Sequence, residues 1–204
     1  MEPTAISLPL VEVLKLLTTG LVATIAAQGI AWLIERSKSN RSTESEATYL
    51  AARLAVNFEQ FAIKCAEQIA DNNMFQQSEG HAGRSHCTLP ELGEFPSQAN
   101  WKSLDPVLLS RSFSFPNELS LGDRTIAFWS DVDPDPSLVR SACDARAGTS
   151  GYRAWKLAED LRCRYRLSNF VPEDFSWDAI RTLKNHHDRE LARIKKDQME
   201  STET

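Results

Sequence analysis

The residue types best suited to chemistry are scattered through this chain. His81, His86 and Cys87 fall together in a polar stretch and, with a fourth ligand, are the candidates for holding zinc. Zinc sites are ordinarily announced by two short ligand pairs; one irregular cluster favours a solvated loop with no metal. The four cysteines, at 65, 87, 143 and 163, contain no C-x-x-C pair. On the cytosolic side of a membrane they are reduced thiols, and Cys65, spaced with apolar neighbours, reads as a small core residue. Arg162, Arg164 and Arg166 (RCRYR) suggest a grip on phosphate. Alternate residues on a helix diverge by about 200°, so the run reads instead as a solvated face paired with nearby acids. His187 falls on an apolar stripe and reads as a packed histidine rather than a catalyst. There is no G-x-S-x-G, P-loop, dinucleotide fingerprint or H-E-x-x-H, and no cofactor is expected.

One further pair has a chemical meaning. Thr125 to Asp133 (TIAFWSDVD) sets an Asp-x-Asp directly behind an apolar run. Those few residues resemble the catalytic pair of haloacid-dehalogenase-type phosphatases. The resemblance implies Asp131 as the group attacking phosphorus, Asp133 as the proton carrier, and magnesium held by both. It also implies a strand before the pair, parallel strands around it, and a later Lys and acidic pair. The sequence shows no βαβ alternation, and Pro134 with Pro136 favours a plain turn. An EF-hand over Asp131, Asp133 and Asp135 fails because Pro136 stands at the glycine position and no Glu closes the loop. A magnesium-dependent phosphoryl-transfer enzyme is therefore the alternative function.

The elements that must position such residues begin with an apolar one. From Leu16 to Ile34 there are 19 residues without a charge, about 28 Å as a helix, close to the hydrocarbon thickness of a bilayer. The sequence predicts a transmembrane helix over 13–35, after a short extracytoplasmic tail at 1–12. A cleaved signal peptide would want a basic start and a shorter apolar core; here Glu2 and Glu12 precede the run. Arg36, Lys38 and Arg41 follow it, which places the C-terminal part in the cytoplasm of a single-pass inner-membrane protein. Thr19, Ala23, Ala27 and Ala31 recur every four residues, and Gln28 adds a polar group. Such a small stripe lets two copies pack their backbones closely, so a homodimer through the membrane is expected.

Residues 36–45 read as a juxtamembrane linker and 46–194 as a helical domain. Leu50, Leu54, Phe58, Phe61, Cys65 and Ile69 share one face of a helix ending near Asn72-Asn73. Residues 74–100 read as a long mobile loop. A helix follows over 101–113, broken or turned at Phe113, Phe115 and Pro116, then a short helix over 117–129. Another helix starts at Ser137 with an interruption at Gly148 to Gly151, and Ala154, Leu157, Ala158, Leu161 and Tyr165 share the face of its second part. Ser176 caps a last helix whose stripe is Trp177, Ile180, Leu183, His187, Leu191 and Ile194; 195–204 is a frayed polar tail.

With 204 residues, 42% apolar and 25% charged, the chain is too short for a large two-domain enzyme and too apolar for wholesale disorder. A mean hydropathy of -0.36 excludes a polytopic membrane protein. The net charge of -5 is uneven: 71–137 holds four basic and ten acidic residues, 151–167 five basic and two acidic. These regions are expected to complement each other internally, and no nucleic-acid partner is expected. The fold class expected is all-α, one spanning helix followed by an irregular helical bundle. The function expected is a membrane-tethered interaction or scaffolding protein with an unidentified protein partner and no catalytic centre. A second alternative is a membrane-permeabilising effector.

Overall fold

The computed structural model describes the backbone of residues 10–132, 135–170 and 178–202, with side chains at 35 and from 41 onward within those ranges. Its helices are α1 (Leu10–Gln77), α2 (Pro106–Val132), α3 (Pro136–Arg164) and α4 (Ala179–Thr202), with a 3-10 turn at Trp101–Ser103 before α2. Among the described residues there is no strand, so the all-helical bundle expected from the sequence is observed. The chain divides into two compact units, Met1–Ser45 and Glu46–Thr204. The segment expected to span the membrane lies outside the residues whose side chains are described. Among the described residues, no helix is long and apolar enough to cross a membrane.

Within the second unit, α1 is the central post. Leu50, Leu54, Phe58, Phe61, Cys65 and Ile69 are all buried, as their spacing predicts, and Ala51, Ala55, Ala62 and Ala66 are buried beside them. The buried arc is wide, and Arg53, Val56, Gln60, Lys64 and Glu67 line the face left to solvent. The helix outlasts its expected end at Asn73 by a turn and closes where Gly80, at φ +87°, donates its N–H to the Phe75 carbonyl at 2.8 Å. It is also helical through 36–45, expected as a linker: 35–77 contains neither Gly nor Pro, and polarity alone does not stop a helix.

The segment after α1 is a strap. Its backbone is gripped by side chains at successive heights: Asn72 takes the His86 N–H at 2.7 Å, and Asn57 donates to the Gly93 carbonyl at 2.8 Å. Asn100 then reaches Glu46 at 3.0 Å. The strap therefore runs antiparallel to α1. Fourteen residues of near-extended chain reach roughly 46 Å, enough to cover the 26 helical residues, about 39 Å, between Asn72 and Glu46. Leu89 is buried under the strap, and Phe95 sets its ring edge-on to Phe58 at 6.0 Å.

Two expected breaks are absent. Pro116 lies inside α2, where it removes the donor that would reach the Ser112 carbonyl. The helix continues because Phe115 and Leu119 on either side are buried; Phe115 meets Phe58 at 5.3 Å and Phe61 at 5.6 Å. Burying two such side chains offsets a proline cost of about 3 kcal/mol. Gly148 and Gly151 do not interrupt α3 either. A Cβ on Gly151 would stand 2.8 Å from side-chain atoms of Cys65 and Leu183, and one on Gly148 would collide with His186. Both glycines let α4 seat closely on α3.

Asp135 caps α3 by accepting the Ser137 N–H at 2.8 Å, with Pro136 in the first turn. The cap expected at Ser176 lies outside the described residues; Asp178 accepts the Arg181 N–H at 2.9 Å at the start of α4. Residues 195–202, expected to fray, are helical and carry a Lys196–Glu200 ion pair at 3.7 Å.

Candidate functional site

The expected ligand cluster does not assemble. His86 Nε2 stands 3.3 Å from Asp71 Oδ2, whereas His81 and Cys87 are exposed beside it. Among the described residues, no group of three or more His, Cys, Asp or Glu is placed to hold a metal ion. Asp131 is exposed in the last turn of α2, and Asp133 lies outside the described residues. The strand required by the phosphatase resemblance is replaced by helix over 125–132. Thr19, Ala23, Ala27, Gln28 and Ala31 fall within the backbone range of α1, and their side chains are outside the described residues.

Two of the three arginines of the run have internal partners, and Arg166 lies exposed just past the end of α3. Arg162 grips Glu59 with two N–H groups at 2.5 and 2.8 Å and donates a third to the Ser168 carbonyl at 2.6 Å. Glu59 is buried, so the pair is a bidentate clamp between α3 and α1. Arg164 donates to Asp105 at 3.1 Å, and this guanidinium holds the Asp105 carboxyl below its usual range. Arg153 pairs with Glu118 at 3.0 Å and Arg111 with Asp160 at 2.6 Å. The basic 151–167 stretch thus meets the acidic 71–137 stretch at Asp105 and Glu118, as their charges predict.

A polar seam that the sequence did not announce joins α1 to α3. Asn72, fully buried, donates to Asp144 Oδ1 at 2.6 Å while its own Oδ1 holds the strap at His86. An asparagine expected as a helix cap is therefore a cross-link. One turn earlier, Gln68 donates to the Cys143 sulfur at 3.1 Å, and that thiol donates to the Thr88 carbonyl at 3.6 Å. Burial pushes the Asp144 carboxyl up to about 6, with the Asn72 hydrogen bond opposing it. Burial likewise raises the Cys143 thiol to about 12 and the Cys65 thiol well above its ordinary value. These two sulfurs are protonated packing groups rather than nucleophiles. His187 stacks on Tyr152 at 5.0 Å with Nδ1 buried and without a hydrogen-bond partner among the described residues, and desolvation lowers its pKa.

Part of what the bundle leaves open is apolar. On α2, Leu121, Phe128 and Val132 are respectively 66%, 57% and 59% exposed. They recur at steps of seven and four with Thr125 between, so they make one stripe, turned away from the buried Leu119–Ile126 face. No family model, curated protein or solved structure matches this chain.

Proposed function

We propose that this protein is a membrane-tethered helical interaction protein that pairs with a second copy of itself. The uncharged run from Leu16 to Ile34 supports a tether, and Arg36, Lys38 and Arg41 support a cytoplasmic position for the helical unit. The observation that carries the interaction reading is the exposed stripe of Leu121, Phe128 and Val132. An apolar stripe at helical spacing is suited to a partner helix. A second copy is favoured because pairing through Thr19, Ala23, Ala27 and Ala31 would hold two helical units at high effective concentration, so that a modest face suffices.

The test is crosslinking of the full-length protein in membranes, followed by alkaline extraction. The expected result is a dimer that stays with the membrane, weakened by Ala23→Leu with Ala27→Leu and again by Leu121→Glu with Phe128→Glu. Release by alkali sinks the tether. An unchanged crosslink in the second variant sinks the α2 face, and a heterologous adduct in place of the dimer sinks self-pairing.

A further inference from the structure

A cleft opens between the C-terminal end of α2, the first half of α3 and the middle of α4. Its floor is α3, where Ser137, Ser141, Ala142 and Ala145 are all small, and that is why the helices leave space there. Two cavities share Ser141, Ala145, Glu190 and Arg193 as lining. One, of about 340 Å³, is polar and adds Arg140, Asp144, His186 and Arg189. The other, of about 320 Å³, adds Trp129, Leu138 and Arg146. Trp129 is 42% exposed and Leu138 48%, so the second cavity has a flat apolar wall.

The charges of the cleft do not cancel. Glu190 is buried and takes both edges of Arg193 at 2.8 and 2.9 Å, and Arg193 also reaches Asp197 at 3.3 Å. That pair is closed. Arg140, Arg146 and Arg189 have no carboxylate within ion-pair distance among the described residues; Arg140 makes only a 3.4 Å contact to Ser85 Oγ and lies over the Phe75 ring. Against them stands Asp144, whose Oδ1 is taken by Asn72. The lining carries two more positive than negative charges, reduced to one by Asp197 on Arg193, while the N-terminal end of α3 is already capped by the Asp135 carboxylate, which accepts the Ser137 N–H. A phosphate monoester carries roughly -1.5 to -2 near neutral pH, and guanidinium groups match its oxygens.

From this geometry we infer that the cleft binds a phosphate monoester carrying an apolar group. Its phosphate lies against Arg140 and Arg189, which line the polar cavity, and its organic part lies against Trp129 and Leu138 in the adjoining one, where Arg146 faces the ester. The chemistry is shared by a soluble nucleotide and by a monoester lipid headgroup. The site stands independently of self-pairing and of the membrane tether.

The experiment is calorimetric titration of the full-length protein with four probes: adenosine monophosphate, adenosine, inorganic phosphate, and vesicles with or without phosphatidic acid. Saturable binding of the nucleotide, or of the acidic vesicles only, supports the site and identifies its source. Adenosine and neutral vesicles should not bind. Arg146→Gln and Arg189→Gln should each weaken binding about tenfold, the loss expected for a charge-assisted hydrogen bond. Neither arginine makes an ion pair among the described residues, although Arg146 lies close enough to Glu190 to lower its pKa, so the fold should be little changed. Trp129→Ala should weaken the nucleotide about fivefold or more while leaving inorganic phosphate unchanged. Arg181→Gln, on the exposed start of α4, is the control. Absence of binding in both arms overturns the proposal, as does binding that survives the Arg146 and Arg189 variants or falls equally in the control.

Discussion

The two ends of α3 use arginine in opposite ways. At its C-terminal end the guanidinium groups of Arg162 and Arg164 are answered from within, Arg162 by Glu59 and the Ser168 carbonyl, Arg164 by Asp105, whereas Arg166, just past the helix, is exposed. At its N-terminal end Arg140 and Arg146, joined by Arg189 from α4, border a cleft with too few carboxylates. The first end is a dense run in the sequence and is structural. The second is dispersed over fifty residues of sequence, and it is the end left with charge to spare. Local density of basic residues thus says little about availability; what decides is which carboxylates the fold brings within 4 Å.

The largest effect expected from breaking this contrast lies at the closed end. Arg162→Ala leaves Glu59 buried without its cation and should cost about 3 kcal/mol in urea unfolding. Glu59→Leu combined with Arg162→Met should recover part of that loss, because an apolar pair leaves no charge stranded. A cost below 1 kcal/mol for the single variant would show that the clamp is ornamental. Next comes the seat between the two ends. Gly148→Ala pushes a methyl into His186 and should cost about 2 kcal/mol. Because it displaces α4 and hence Arg189, it should also weaken phosphate-ester binding; binding that persists at full strength argues that the cleft does not depend on that seat.

A smaller effect concerns Asp144, between the cleft and the α1 seam. Its folded pKa, about 6, exceeds that of an unfolded aspartate. Its contribution to stability is therefore fully present below the unfolded value and is lost as pH rises through about 6. Asp144→Asn keeps an oxygen for the Asn72 amide and removes the titration. The stability difference between variant and parent should grow across pH 4 to 6 in the variant's favour, by about 1 kcal/mol after allowance for solvent screening. A flat difference would mean that the carboxylate is solvated. The smallest effect sharpens the contrast most: Arg189→Gln should change stability by less than about 0.5 kcal/mol, as expected for a charge with no ion pair among the described residues.

Much of the fold is legible in the residues, and the reason is periodicity. The stripe from Leu50 to Ile69 and that from Ala154 to Leu161 are buried where their spacing puts them. So is the charge complement, since opposite excesses separated by only 13 residues of sequence have few other partners. What misleads is any residue whose meaning depends on a distant neighbour. Pro116 reads as a break until Phe58 and Phe61 are known to lie against Phe115. Gly148 and Gly151 read as a hinge until α4 is on them, and Asn72 reads as a cap until Asp144 is beside it. The cleft was illegible for the same reason: Arg140, Arg146 and Arg189 occupy no motif, and only the small residues of the α3 floor hint that a space lies between them.

The cysteines also divide in two, and the division makes the molecule report on its own integrity. Cys87 and Cys163 are exposed, whereas Cys65 and Cys143 are buried with thiols held protonated. A thiol-directed reagent should therefore mark two sites at once and the other two only when α1 and α3 part. The lag before the third and fourth labels is a stopwatch on the opening of that seam.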